Sequence, residues 1–208
     1  EVDPAEPVFC VEAMWMRFNP LIQQAKKALE ENRVGTVHSL NGELGYQKAP
    51  DACGSIDEGR GALLTFGCYG ISLGLFLFGP PKSVQAGWIP NGHGGDGTTA
   101  LMLYYEDHIA SFQFGEQATL SNDVQIRGTD GAIHIGSPFI DARELQVVDL
   151  KALQNRSLYE RIRDKAWNTV NSVFGNEKVG AIHTLDDANT GFRHEIEEVT
   201  RCIQTGKN

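Results

Sequence analysis

Apolar and polar positions change their period several times along the 208-residue chain, and each change marks an element. Residues 8–13 are a short apolar run rich in β-formers, which predicts a buried strand. Pro20 then stands where a first helical turn begins, with Asn19 as its N-cap. Leu21, Ile22, Ala25, Ala28 and Leu29 follow at helical spacing, and the helix should end near Arg33, before Gly35. Residues 34–46 alternate like a long strand, and 48–59 form a loop of Pro, Gly, Asp and Ser. Residues 61–78 are almost wholly apolar. That length predicts a buried helix, its glycines predict close packing, and Gly79-Pro80-Pro81 stops it.

Beyond that point the period drops to two. Strands are predicted at 83–89, 98–105, 108–114, 118–127, 132–135 and 145–150. Their separators are short and turn-like, such as Glu106-Asp107 and Gly128-Thr129-Asp130-Gly131, so neighbours should run antiparallel. Leu158, Ile162, Ala166, Val170 and Phe174, spaced by four, predict an amphipathic helix, and a last helix follows at about 191–203. The order gives an α+β fold: one large, open, mainly antiparallel sheet with helices packed on one face.

Composition narrows the function classes. The apolar fraction is 41% and the charged fraction 22%, values of an ordinary soluble domain. A net charge of −9 argues against nucleic acid or an anionic membrane as partner. The longest wholly apolar run, 71–78, is too short to span a bilayer. Cys10, Cys53, Cys68 and Cys202 show no C-x-x-C spacing and read as buried free thiols of a reducing compartment, so a cytoplasmic location is expected. The six histidines make no metal-ligand pattern, and no metal is expected.

Gly92, Gly94 and Gly97 spell a literal G-x-G-x-x-G. In a dinucleotide fold those glycines join a strand to a helix whose N-terminus receives pyrophosphate. Here a strand follows instead, so a loop between strands is the expected reading, with a substrate-side or partner-contacting loop as the alternative. His93 could pair with Asp96 in this loop. Two other segments carry chemistry. Trp15, Arg17 and Phe18 sit between the first strand and the first helix, where an aromatic wall and a guanidinium would suit a polar ring or sugar; a core Trp15 and Phe18 with Arg17 as a clamp is the commoner case. In the run Gly59-Arg60-Gly61-Ala62-Leu63-Leu64-Thr65-Phe66-Gly67-Cys68-Tyr69, Tyr69 offers a general acid, or else a core hydroxyl.

Together these segments resemble a known family. Glu12 to Pro20 is similar to the E-A-M-W-x-R-F-x-P signature of the dimeric dihydrodiol dehydrogenase branch of the glucose–fructose oxidoreductase and inositol dehydrogenase (Gfo/Idh/MocA) family. The Tyr69 segment is similar to that family's G-G-A-L-L-D-x-G-x-Y. Asn122 to Gly131, Ser137-Pro138-Phe139 and Gly191 to Val199 match further segments, in the family's order. The resemblance implies the C-terminal domain of a two-domain enzyme, with residues 14–208 as the substrate-binding and dimerisation domain and 1–13 as the last strand of a Rossmann domain otherwise absent from the sequence. It implies NADP or NAD in the complete protein, none for this chain alone, and oxidation at the CH–OH group of a sugar or cyclic diol. Tyr69 would be the proton donor or acceptor, working beside a lysine of an E-K-P motif that this sequence lacks, and Trp15, Arg17, Phe18 and Thr65 would line the substrate. The open sheet face would form a homodimer. Thr65 departs from the motif, standing where the family has aspartate, and 151–189 is longer than the pattern expects. These departures and the missing lysine leave a non-catalytic dimerisation or scaffold module as the alternative, and a sugar-binding module using Trp15 and Tyr69 is a third reading.

Overall fold

The computed structural model describes residues 10–49, 52–151, 181–185 and 190–206. Asn19 caps the first helix, α1 (Pro20–Glu30), by accepting the Leu21 N–H at 2.9 Å. Pro20 at the first helical position loses nothing, because its missing N–H would have had no partner there. The Asn19 amide also donates to the Ala142 carbonyl at 3.0 Å, so the cap fastens the helix to a loop far along the chain.

Among the described residues eight strands form one sheet: β1 (Val37–Gly45), β2 (Ser83–Pro90), β3 (Asp96–Tyr104), β4 (Ile109–Gly115), β5 (Val124–Gly128), β6 (Gly131–Ile135), β7 (Glu144–Asp149) and β8 (Ala181–Thr184). Their order is β2-β3-β4-β1-β5-β6-β7-β8. Every neighbouring pair is antiparallel except β1 and β4, which run parallel at the centre with Ser39 beside Ile109 and Gly45 beside Gly115. The antiparallel reading therefore holds for the arms, while the centre joins strands far apart in sequence.

The longest apolar run builds the helix layer. It enters through a π-helical turn (Leu63–Gly67) and continues as α2 (Cys68–Phe78). By length and apolarity the stretch Ile56–Phe78 would pass for a membrane span. In the fold it is a core element: Gly70, Leu73 and Gly74 are buried, with Gly70 against Phe112 and Phe114. It is not buried on every side, as Leu64 and Leu75 are exposed. Beneath it, Leu40, Leu44, Leu101, Phe112, Phe114, Ile126, Ile133, Ile135 and Leu145 fill the covered face of the sheet.

Several elements depart from expectation. Cys10 to Met14 form no strand, while Val8 and Phe9 lie outside the described residues. β5 starts only at Val124, because Asn122 takes a positive φ of 59° and its side chain accepts the Gly45 N–H at 2.7 Å, ending the preceding extended run. β8 lies in the stretch read as an inserted helical segment, and the 158–174 stripe falls outside the described residues. The four cysteines are free, but only Cys53 is buried: Cys68 and Cys202 are half-buried and Cys10 is exposed. The last helix, α3, is Thr190–Thr205.

Candidate functional site

The π turn fixes the site. Gly61 has φ +118°, and a Cβ there would meet the Asp96 carboxylate at 2.2 Å. Only glycine allows that carboxylate to reach past and accept the Leu63 N–H at 2.8 Å, so Asp96 caps the helix entry. Thr99 donates its hydroxyl to the same oxygen. The glycine loop carrying G-x-G-x-x-G thus connects β2 and β3 and braces a helix start. Asn91 holds it rigid, accepting the His93 and Gly95 N–H groups and donating to the Gly54 carbonyl. His93 is exposed, and the Asp96 carboxylate serves Leu63 and Thr99 rather than the histidine.

A π turn widens the helix and turns less per residue than an α turn. Thr65 and Tyr69, four positions apart across that turn, therefore lie almost one full revolution apart and share a face. Tyr69 is half-buried, and among the described residues its hydroxyl has no hydrogen-bond partner. Its ring meets Trp15 edge-on, with centroids 6.4 Å apart. Trp15 lies in the short 3-10 turn Trp15–Phe18 and is also stacked with Phe192 of α3, at 4.3 Å. Gly191 lets α3 approach, because a Cβ there would meet the Trp15 ring at 2.5 Å.

The sequence-predicted residues differ in the partners they find. Trp15 and Tyr69 stand together, although Trp15 is only 9% exposed and belongs mostly to the packing. Arg17 lies with its guanidinium 5.0 Å above Phe76, a ring that Lys26 also covers at 4.3 Å. That is the clamp arrangement, with the charge spread over an aromatic face. Phe18 is half-buried beside it. Thr65 donates its hydroxyl to Glu116 Oε1 at 3.3 Å.

That last contact leads to two residues the sequence reading missed. Glu116 is fully buried and ion-paired with Lys48 through the same oxygen. Lys48 Nζ also lies 5.2 Å over the Phe66 ring, itself 5.9 Å from the Tyr46 ring. Burial raises the Tyr46 hydroxyl and the Cys68 thiol above their ordinary pKa ranges, so both stay protonated at neutral pH. The missed signal was positional. Lys48 follows the end of β1 and Glu116 follows the end of β4, but their pairing is visible only once those strands are known to be parallel neighbours.

Comparison with known proteins agrees with this architecture. The GFO/IDH/MocA C-terminal domain model matches residues 22–134. A trans-1,2-dihydrobenzene-1,2-diol dehydrogenase of Xenopus laevis is 33% identical over 210 residues, and one of Xenopus tropicalis is 30% identical over 204; each alignment covers 96% of this chain and 55% of the relative. The chain therefore spans about half the length of the curated relatives it matches. Among solved structures, levoglucosan dehydrogenase in its apo form aligns with a TM-score of 0.69 at 15% identity, covering 94% of this chain and 57% of that one. The aldose-aldose oxidoreductase of Caulobacter crescentus, complexed with glycerol, aligns with a TM-score of 0.66 at 14% identity, covering 93% and 53%. The motif order, the sheet with its single helix-covered face and the match to more than half of its residues together establish that the chain belongs to the GFO/IDH/MocA C-terminal domain family.

Proposed function

We propose that this chain is the substrate-binding and dimerisation portion of an NAD(P)-dependent oxidoreductase that oxidises the CH–OH group of a cyclic diol or sugar. The observation that carries the reading is Tyr69: a phenol with no partner among the described residues, held edge-on to Trp15 and one revolution from Thr65 on the family's motif helix. Oxidation of an alcohol removes a proton from its oxygen and the reverse reduction returns one; in this reading Tyr69 accepts that proton as a phenolate and gives it back as the phenol. Phe192, 45% exposed and stacked on the buried Trp15, gives an apolar surface against which a ring would lie. The nicotinamide cofactor does not fit the described residues. Their one glycine-rich loop connects two strands and offers no helix N-terminus to a pyrophosphate, so the chain alone is expected to bind neither NADP nor NAD. The four free cysteines suit a reducing, cytoplasmic compartment.

The open face supports a homodimer. Cross-strand partners form one row over it: Gln85, Met102, Ser111, Asn41, Gln125, His134 and Gln146. Glu43 and Asp123 lie on one side of that row and Arg127 on the other. A second copy turned about the row would set Arg127 against the partner copy's acids, as an isologous interface requires.

The test uses the full-length protein with NADP or NAD and trans-1,2-dihydrobenzene-1,2-diol, followed at 340 nm, a wavelength that reports reduced nicotinamide. Tyr69→Phe should lower kcat by roughly 100-fold or more while the fold is retained, the scale on which a positioned acid–base group acts. Unchanged turnover in that variant would remove Tyr69 from the reaction. Thr65, in place of the motif's acid, keeps the scaffold reading alive; no turnover by the wild type with any diol or sugar would favour it.

A further inference from the structure

The Lys48–Glu116 pair is poorly explained by stability. A buried ion pair costs about as much in desolvation as it returns in attraction, and well-packed apolar residues in its place are often as stable or more so. Here the cost is higher than usual. Glu116 is 0% exposed, its Oε1 serves both Lys48 and Thr65, and its Oε2 is buried with no hydrogen-bond partner among the described residues. A carboxylate oxygen left without a donor is itself destabilising.

Its location suggests what it is for. β1 is the strand where the chain order reverses, with β4 on one side and β5 on the other. Lys48 and Glu116 lie just beyond the carboxyl ends of β1 and β4, the two strands that run parallel, so both chains leave the sheet side by side at the entry of the motif helix. Backbone bonds lock both residues there: Lys48 N–H donates to the Glu116 carbonyl at 2.8 Å, and Glu116 N–H donates to the Gly97 carbonyl at 2.9 Å. The ammonium is thereby held over Phe66 and tied, through Glu116 and Thr65, to the helix face that carries Tyr69. The Lys48 side chain is 25% exposed and that of Glu116 0%, so Lys48 is the member of the pair that reaches the surface.

We propose that Lys48 is a substrate-binding residue, with buried Glu116 as the positioning residue that holds its ammonium. The remaining N–H donors of Lys48 would bond a hydroxyl oxygen of the diol or sugar whose reacting carbon sits at Tyr69. Because Glu116 cancels the charge of Lys48, the site favours neutral hydroxyl groups over phosphates or carboxylates. This assignment rests on the oxidoreductase reading above, and it gives the motif helix a cation–carboxylate pair beside Thr65.

The experiment uses full-length protein and the double variant Lys48→Met/Glu116→Met, which avoids stranding either charge. The proposal expects a melting temperature equal to or above that of the wild type, a KM for trans-1,2-dihydrobenzene-1,2-diol raised roughly 10- to 100-fold, as for loss of a charge-assisted hydrogen bond, and a much smaller change in kcat. A large fall in melting temperature with KM unchanged overturns it, since that is the signature of a purely structural pair. If the wild type shows no turnover at all, the oxidoreductase reading fails separately. Calorimetric titration of the same diol and of glucose then decides the binding role: at least tenfold weaker binding by the double variant supports it, and equal binding, or none by the wild type, overturns it.

Discussion

The two faces of the central sheet obey opposite rules. Under the helices, Leu40, Leu44, Phe114, Ile126, Ile133, Ile135 and Leu145 are fully buried and apolar. One residue away along the same strands, the other face carries Asn41, Glu43, Gln113, Gln125, Arg127 and His134. Strand periodicity is two, so a single sequence writes both faces at once. The covered face decides whether the chain folds and where the motif helix lies. The open face carries polar groups that water can satisfy, and it is the face the proposed homodimer would use. Its middle is a shallow depression of about 580 Å³ lined by Asn41, Gln113, Asp123 and Arg127 among others.

If that division is right, the largest effect belongs to the covered face. Phe114→Ala should cost about 3–5 kcal/mol in urea unfolding, because the ring packs against Gly67 and Gly70 beneath the motif helix and its loss leaves a cavity. A loss below about 1 kcal/mol would mean that the helix layer is not seated as described. On the open face, Arg127→Glu should change stability by only about 0.5 kcal/mol, as for an exposed substitution. It should nevertheless weaken self-association at least tenfold, read by light scattering after size exclusion, by setting like charges opposite Glu43 and Asp123. An unaltered dimer would move the interface elsewhere; a monomeric wild type would remove it.

The smallest effect tests a third environment, the packed flank of α3. Glu195 is 7% exposed, and burial raises its carboxyl above the ordinary range. The folded state therefore holds the proton more tightly than the unfolded chain. Stability from this group is fully present below the unfolded value near 4.5 and is lost as pH rises through the folded one. Glu195→Gln should raise the melting temperature at pH 7 and leave it unchanged below about pH 4, where both side chains are neutral. Asp123 has the opposite sign. Burial pushes its carboxyl up, but hydrogen bonds from Ser121, His134 and Gln125 outweigh that and hold it low, so its contribution is lost on acidification.

Local chemistry was legible in the sequence; long-range pairing was not. The Asn19-Pro20 cap, the turns between β3 and β4 and between β5 and β6, and the alternation along β3 to β7 all come from neighbouring residues, and the structure bears them out. The fold family was legible too, through five motifs in order. The π turn was hidden because no residue type signals it: it follows from Asp96 reaching across Gly61 to seize the helix entry. Lys48 and Glu116 were hidden because each looks like a loop residue until β1 and β4 are set side by side. Of the candidate site, Tyr69 and Trp15 were found together, while Arg17 went to Phe76 and Thr65 gained partners that nothing near it in sequence announces.

The parallel seam between β1 and β4 also sets an order of events in time. The arms β2-β3-β4 and β5-β6-β7 are successive hairpins that can close quickly from local contacts. Joining β1 to β4 must first close a loop containing α2, β2 and β3, and that entropy is spent before any contact repays it. Until the seam forms, each arm shows water the apolar side that will later lie under the helices. A newly made chain is most exposed to misassociation in that interval, and faster joining of the seam would protect it more than stronger hairpins would.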